Sequence, residues 1–397
     1  MVAPISPSPP RAFPQDRLGR LVELWWRRQM VRLFAGLLRL QDGVQAIRAT
    51  WRTRTRREGL ERVLFLRPDR IGDMIVSTGV IRAIAAAPDV QLDVLASPAN
   101  APVLARDGLV HDVLILNRRG AANIWRTIRA MRARRYDTII DCMPTAPSVT
   151  TLMIMLASGA RRRVGTSGRG IDDLLSPATP SLPIDAHIVD HLALLATPFV
   201  PRHAASVPLP VIELGADERA AADSTWAVHD ASVHAPEYTP RCRLLVNISA
   251  GKTARYWPIA SYAEVIAAAR AAVPSLTVGI VSAPHERERG EALATLADGH
   301  YLATRTLREA LAVVAQADLF FTPDTSLAHA AAAFRVPTVD MLLAGTAMQW
   351  GLYRAPGINL ESPDDSLESL DVQVAIDALL HLLTAFRAPA MQTARDA

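Results

Sequence analysis

The feature that most constrains the fold of this chain is a repeated alternation of short β-branched runs with alanine-rich segments of helical period. The alternation starts at Arg62, is interrupted after about residue 198 by a stretch rich in proline, alanine and polar residues, and restarts at Arg243. Strands that alternate with helices form parallel sheets through right-handed crossovers. The sequence therefore predicts an α/β protein with two doubly wound domains, which its 397 residues can accommodate.

The predicted boundaries divide the chain into four parts. They are a basic N-terminal arm over 1–60, a first α/β domain over 61–205, a linker over 206–240, and a second α/β domain with a final helix over 241–397. In the second domain, the capping-box patterns Ser261–Glu264 and Thr306–Glu309 predict two helix starts. Parallel sheets bind ligands beyond the carboxyl ends of their strands, so we expect the site in the loops that follow the strands.

The positive charge of the chain is concentrated in the arm. Residues 1–60 hold twelve arginines and four acidic residues, a balance of +8, whereas the whole chain carries +4. We expect the first residues to be disordered and 17–57 to form a basic amphipathic helix, with Trp25 and Trp26 near one end. Such an arm indicates an anionic partner, either a membrane surface or nucleic acid, and a solvated arm without a partner explains the charge equally well.

Several classes of protein are excluded by composition. Arginines interrupt the most apolar N-terminal stretch, so we expect neither a transmembrane span nor a signal peptide. The two cysteines, Cys142 and Cys242, fall in different predicted domains, which indicates a reducing compartment rather than a disulfide framework. The stretch from His187 to His191 has the H-x-x-D-H spacing of a metal site, but no third ligand stands out and we expect no metal there.

The loop at 67–73 is the candidate in the first domain. Gly72 permits a tight turn, and Asp73 stands at the start of the next helix. Arg67, Arg70 and Asp73 would face the cleft between the domains, and so would Asp141 at the end of another strand. A helix N-cap is the structural alternative for Asp73.

Two loops in the second domain have the chemistry of a nucleotide site. The loop at 249–258 carries Lys252, the only lysine of the sequence, and Arg255, both suited to phosphate. In the loop at 282–286, Glu286 could accept hydrogen bonds from a ribose diol, or could simply stabilise a helix N-terminus.

A third loop of the second domain, at 322–329, joins a strand to a helix. The free amides of Thr325 and Ser326 would face an anion such as pyrophosphate. Asp324 is a candidate for capping this helix or for binding sugar hydroxyls. His329 lies one turn further on, where a packed side chain is the commoner role.

Together these loops resemble glycosyltransferase family 9, the heptosyltransferases of the bacterial lipopolysaccharide inner core. The likeness spans about residues 62–350 and rests on four segments in order: 67–82, 247–258 ending in Arg-Tyr-Trp-Pro, 283–286, and 324–329 continuing to Val336-Pro-Thr. The chain departs from the family pattern at 342–348, which reads Leu-Leu-Ala-Gly-Thr-Ala-Met, at Gly79, and in its basic extension.

The resemblance implies a GT-B fold, in which two Rossmann-like domains face each other across a cleft, and an inverting transfer from ADP-heptose to a lipid-linked saccharide. By its motifs Asp73 is the general base, Arg255 a phosphate-binding cation and Glu286 the ribose ligand. Asp324, Thr325 and Ser326 form the loop for the donor phosphate and sugar.

From the resemblance and the basic arm we expect no cofactor, no metal and no nucleic acid partner. The expected partners are an ADP-sugar, a lipid-linked acceptor and the anionic inner-membrane surface, with the protein in the cytoplasm or peripheral on that membrane. Two alternatives stay open at this stage. One is a related enzyme acting on another nucleotide sugar, and the other is a non-catalytic member that binds a glycolipid or a protein.

Overall fold

The computed structural model describes residues 17–51, 60–143, 148–200, 207–230 and 242–395. Its first half, residues 17–200, contains six strands and five α-helices: α1 (Arg17–Trp51), β1 (Glu61–Arg67), α2 (Ile71–Ala85), β2 (Val90–Ala96), β3 (Asp112–Ile115), α3 (Ala121–Arg134), β4 (Thr138–Asp141), α4 (Val149–Ser158), β5 (Arg162–Thr166), β6 (Ala178–Thr179) and α5 (Ile188–Ala193). The strands form one parallel sheet in the order β3-β2-β1-β4-β5-β6.

The second half, residues 207–395, repeats this plan. Its elements are α6 (Ala216–Asp230), β7 (Cys242–Asn247), α7 (Ile259–Ala272), β8 (Leu276–Val281), α8 (Arg287–Leu296), β9 (His300–Tyr301), α9 (Leu307–Ala315), β10 (Leu319–Pro323), α10 (Ser326–Phe334), β11 (Thr338–Leu342), α11 (Ala347–Trp350), β12 (Gly357–Glu361) and α12 (Val372–Arg395). The parallel sheet has the order β12-β11-β10-β7-β8-β9. In both halves the strands therefore follow the order of a dinucleotide-binding fold, which confirms the predicted fold class.

Helices cover both faces of each sheet, which is why the central strands are continuous apolar runs. Every residue of β8 is buried, and so are residues 63–67 of β1. In the first half, α2 and α5 pack on one face, while α1, α3 and α4 share a core with the other. In the second half, α7 and α12 cover one face, and α6, α9 and α10 cover the other. Strands buried on both faces are typical of parallel sheets.

The structure tests three local predictions and changes two of them. The predicted linker contains α6, whose Trp226 is fully buried in the second half. The capping box at Ser261 is wrong, because α7 already begins at Ile259 after Pro258. The helix start predicted at Thr306 is confirmed, since Thr306 is the N-cap of α9 and its hydroxyl accepts from the Glu309 amide. The Glu309 carboxylate accepts from the Arg305 amide, one residue before the position that a capping box requires.

The predicted helix of the basic arm is present as α1 over Arg17–Trp51. Residues 1–16 and 52–59, where part of the arm prediction falls, lie outside the described residues. Among the residues that are described, no helix combines the length and the apolar character needed to cross a membrane.

The two halves meet along α2, where the close passage of the chain explains why residue 79 is a glycine. A Cβ on Gly79 would lie 2.4 Å from the carbonyl oxygen of Pro208 and 2.5 Å from that of Leu209. The chain entering the second half is held in this place because the Thr78 hydroxyl accepts from the Val211 amide at 2.8 Å. A larger residue at 79 would displace this crossing, so the departure of Gly79 from the family pattern fits the path of the chain.

Candidate active site

The loops predicted to carry chemistry come together where α2 faces α10. A Cβ on Gly72 would lie 2.9 Å from Cδ2 of His329 and 3.5 Å from the Cα of Ser326. The glycine therefore lets the first turn of α2 lie directly against the first turn of α10. As a result, Asp73 of the first half stands beside the loop of the second half that was predicted to bind an anion.

Asp73 is held by groups of its own loop and remains open to solvent. The buried Arg67 side chain donates from Nε to the Asp73 carbonyl at 2.8 Å, and its Nη2 lies 3.4 Å from Asp73 Oδ1. The Arg70 amide donates to Asp73 Oδ2 at 3.4 Å. Asp73 is the third residue of α2, not its N-cap, and its side chain is 21% exposed. It is thus fixed by neighbours and still accessible to a substrate.

Arg67 is more deeply buried than the sequence indicated. Its Nη1 donates to Sγ of Cys142 at 3.0 Å and lies 3.6 Å from Asp69 Oδ2. Burial raises the pKa of the Cys142 thiol to about 12, so the thiol stays protonated and donates to the Leu66 carbonyl at 2.7 Å. These contacts occupy the guanidinium of Arg67. It therefore fixes the position of Asp73 and does not itself reach into the cleft.

The other acceptor candidates lie in different surroundings. Asp141 is buried, and its carboxylate pairs with Arg169 Nη1 at 2.7 Å and accepts from the Met143 amide at 3.1 Å. These partners occupy it, so the structure does not bring it to the cleft as a free carboxylate. Arg70 is exposed. Asp69, which the sequence analysis passed over, lies in the same loop, and burial raises its pKa.

In the second half, Arg255 and Asp324 form one unit. Arg255 Nη1 donates to the Asp324 carbonyl at 3.0 Å, and its Nη2 lies 2.5 Å from Asp324 Oδ2. Asp324 is buried, and Arg255 is partly exposed after the short 3₁₀ turn Thr253–Arg255. Lys252, at the start of that turn, is exposed. The pair places a fixed cation in the site, three residues from the exposed cation of Lys252.

The N-terminus of α10 is left without a side-chain cap. Thr325 occupies the N-cap position, but its hydroxyl accepts from Nδ2 of Asn247 at 3.2 Å and does not cap the helix. The same Asn247 amide donates to the Thr322 hydroxyl at 3.0 Å. Asn247 is buried and was not predicted as a site residue. Because the first amides of a helix lack internal partners, those that follow Thr325 are available to an anion, as predicted for Ser326.

Glu286 is a buried acid whose hydrogen-bonding capacity is little used by its neighbours. It is buried at the start of α8, and neither of its carboxylate oxygens accepts a hydrogen bond of good geometry from the described residues. The nearby Tyr256 hydroxyl has its pKa raised, first by interaction with this carboxylate and then by burial. Buried polar groups are almost always bonded. A ribose diol would supply two donors to these two oxygens.

Asp340 is a buried acid that the sequence analysis missed. It lies on β11 beside Thr322 of β10, and neither carboxylate oxygen has a hydrogen-bond partner among the described residues. Burial raises its pKa well above the ordinary value, and the negative charge of Asp324 raises it further. Burial and the Asp324 carboxylate thus both favour the protonated form of Asp340, next to the Arg255–Asp324 pair.

His329 and the H-x-x-D-H stretch belong to the contact between the halves. Burial lowers the pKa of His329, although Asp324 and Asp73 oppose the shift, so the ring is neutral.

His187 accepts from the Val189 amide and donates from Nε2 to the Gly351 carbonyl at 2.9 Å. Within the described residues, no group of three His, Cys, Asp or Glu could hold a metal ion. The imidazole of His187 therefore joins the two halves.

A second contact strengthens this bridge. The Tyr353 hydroxyl donates to the Asp190 carboxylate, and its ring stacks on His187 with centroids 4.5 Å apart. Asp190 in this motif thus binds a tyrosine of the second half. The motif that resembled a metal site therefore forms a contact between the two halves, beside the cleft.

The fold and site define a glycosyltransferase of the GT-B type, with a carboxylate on one Rossmann-like half and a helix N-terminus without a side-chain cap on the other. Residues 124–373 match glycosyltransferase family 9 (heptosyltransferase), and the chain belongs to this family. No curated protein sequence matches the chain.

Solved structures of the same architecture support the fold. The glycosyl transferase family 9 protein of Veillonella parvula superposes with a TM-score of 0.70 at 16% identity, covering 82% of this chain and 98% of that one. Heptosyltransferase II of E. coli gives 0.63 at 20% identity over 82% and 100% of the two chains. The E. coli heptosyltransferase WaaC with ADP gives 0.61 at 19% identity over 81% and 99%.

Proposed function

We propose that the chain is an inverting, metal-independent heptosyltransferase, which moves heptose from ADP-heptose to a lipid-linked saccharide of the lipopolysaccharide inner core. The observation that carries this proposal is the contact at Gly72, which puts Asp73 beside the uncapped start of α10. The donor is suggested by similar proteins: heptosyltransferase II is named for ADP-heptose, and WaaC was solved with ADP and with ADP-2-deoxy-2-fluoro heptose.

The nucleotide would occupy the second half. Glu286 would accept from the ribose hydroxyls, since neither of its carboxylate oxygens accepts a hydrogen bond of good geometry from the described residues. Lys252, Arg255 and the amides of Thr325 and Ser326 would bind the diphosphate. Asp324, held by Arg255, would accept hydrogen bonds from the sugar. Each of these groups lies at the end of a strand, where such folds bind their ligands.

Transfer would then be a single displacement. The acceptor hydroxyl oxygen attacks the anomeric carbon and gives its proton to Asp73, while the bond from that carbon to the diphosphate oxygen breaks. ADP leaves with the electron pair, so negative charge grows on the diphosphate as the bond lengthens. Arg255, Lys252 and the helix amides stabilise this charge in place of a divalent cation.

The acceptor would approach from the first half, where Arg70 is exposed beside Asp73.

We place this reaction at the cytoplasmic face of the inner membrane, since a lipid-linked acceptor resides in a bilayer and the N-terminal residues are basic. Arg67 positions Asp73, and His329 supports the close approach at Gly72.

The decisive experiment is a transfer assay with purified protein, ADP-heptose and a lipid-linked core saccharide, followed by mass detection. We expect one heptose to be added to the acceptor, equally well with and without a chelator. Transfer from UDP- or GDP-sugars but not from ADP-heptose would contradict the proposed donor. An isomerised nucleotide sugar without transfer would show an epimerase, and nucleotide binding without turnover on any donor would show a binding protein.

A further inference from the structure

The basic N-terminal helix α1 is built into the first half. Ala35 and Leu38 are buried in the core that α1 shares with α3, α4 and the sheet. On α4, the helix is held by Gln41, which donates to the Leu156 carbonyl at 3.2 Å. The middle of α1 is therefore a fixed structural element of this half.

Two ion pairs fix the same face of α1. Asp42 accepts from both Nη atoms of Arg163 at 2.8 Å, and the Arg163 side chain is fully buried. Arg39 donates from Nε to Asp173 at 2.6 Å, in a pair that is half exposed. A buried guanidinium needs its carboxylate partner, so Arg163 specifies where α1 lies.

The opposite face of α1 is apolar and uncovered. We call it the outer stripe, and its five side chains are between 38% and 66% exposed: Trp26, Leu33, Leu37, Leu40 and Val44. Their spacing of seven, four, three and four residues puts them on one line of the helix. The docked residues Ala35, Leu38 and Asp42 lie on the other side. A continuous exposed apolar row on a fixed helix marks an interaction surface.

The charges around the outer stripe indicate its partner. Arg28 and Arg32 are exposed one turn apart on the same helix, N-terminal to Ala35 and towards the side of α1 that carries the docked residues. In the same layer of helices, α3 has no acidic residue and exposes Trp125 beside Arg126 and Arg129. A second copy of the chain would bring arginine against arginine, whereas an anionic bilayer offers both an apolar interior and a complementary charge.

We propose that the outer stripe of α1 inserts at the head-group level of an anionic bilayer, with the helix lying along the membrane surface. Because the other face of α1 is part of the core, this contact fixes the orientation of the whole first half and does not merely tether it. The inference deepens the proposed function, which calls for a lipid-linked acceptor, but vesicle binding can be measured without donor or acceptor.

The test uses the full chain in co-sedimentation with phosphatidylcholine vesicles, with and without phosphatidylglycerol. The variant Leu33→Gln/Leu37→Gln/Leu40→Gln should bind anionic vesicles at least about tenfold more weakly than wild type, as expected for lost apolar burial. The control Val228→Gln/Leu296→Gln, which changes exposed apolar residues of the second half, should bind like wild type. Both variants should keep the wild-type melting temperature, since the altered side chains are exposed.

A second variant tests the charge. Arg28→Gln/Arg32→Gln should weaken binding to anionic vesicles and reduce the salt dependence of that binding. Binding to vesicles of phosphatidylcholine alone should not change. Equal binding by the stripe variant, the control and wild type would overturn the proposal. So would a wild-type dimer that the stripe variant dissociates, in a protein that does not bind vesicles. If vesicle binding follows the proposal but no heptose is transferred, the proposed function fails and the membrane surface stands.

Discussion

The two halves share a strand order but differ in how their polar loops are satisfied. In the first half, Asp73 is bonded by Arg67 and by a backbone amide of its own loop. In the second half, Glu286 accepts no hydrogen bond of good geometry from the described residues, and α10 begins without a side-chain cap. The first half therefore holds the proposed base fixed by its own loop, whereas in the second half the proposed nucleotide ligands keep hydrogen-bonding capacity that the described residues do not use.

The largest effect should come from the group that is already in place. Asp73→Asn keeps an oxygen for the Arg70 amide, so folding and donor binding should change little. Loss of the base should reduce turnover by about 10²–10⁴-fold. Steady-state transfer rates at saturating donor measure this, and a variant with more than a tenth of wild-type turnover, outside that range, would move attention to Asp69.

In the second half, substitution should change affinity for the nucleotide. Arg255→Ala removes a charged partner of the diphosphate and leaves Asp324 without its cation. ADP binding should weaken by about 1–3 kcal/mol, the usual range for a hydrogen bond to a charged group. Calorimetry with Arg305→Ala as an exposed arginine control of the same half tests this. Unchanged ADP affinity in Arg255→Ala would remove the residue from the site.

In the first half, the ion pair between α1 and the buried Arg163 predicts an effect on the free energy of unfolding. Asp42→Ala leaves the buried Arg163 guanidinium without its carboxylate, and we expect a loss of about 2 kcal/mol in the free energy of unfolding. Asp173→Ala breaks the half-exposed pair with Arg39 and should cost less than about 1 kcal/mol. Denaturant unfolding compares the two. Equal losses would mean that α1 is not held by Arg163.

The unsatisfied acid of the second half predicts a smaller, pH-dependent effect. The folded-state pKa of Asp340 is raised by burial, so wild type loses stability as pH rises above the ordinary aspartate range towards that raised value. Asp340→Asn removes this titration. The free energy of unfolding of the variant, relative to that of wild type, should therefore increase as pH rises from 4 to 8. These two pH values are chosen to bracket the start of the loss in wild type. A stability difference independent of pH would show that Asp340 does not titrate in this way.

The sequence predicted the two parallel sheets and the loops of the site because both depend on local patterns. Strand runs, helix periods and polar loop residues are read within short windows. It missed α6, since an alanine-rich, polar segment with one buried tryptophan resembles a linker. It also missed Asn247 and Asp340, and it could not foresee that Arg169 neutralises Asp141 or that Arg163 holds Asp42. Those contacts join residues far apart in the chain, and no local pattern specifies them.

The division of roles between the halves is tested most directly by one paired measurement, in which ADP affinity and turnover at saturating donor are compared for Asp73→Asn and Glu286→Gln. We predict that Asp73→Asn loses turnover while its ADP dissociation constant stays within about twofold of wild type, less than 0.5 kcal/mol. Glu286→Gln should bind ADP more weakly and recover most of its turnover when donor saturates. If Asp73→Asn weakens ADP binding as much as Glu286→Gln does, or if Glu286→Gln leaves ADP affinity unchanged, the two halves do not divide the chemistry in this way.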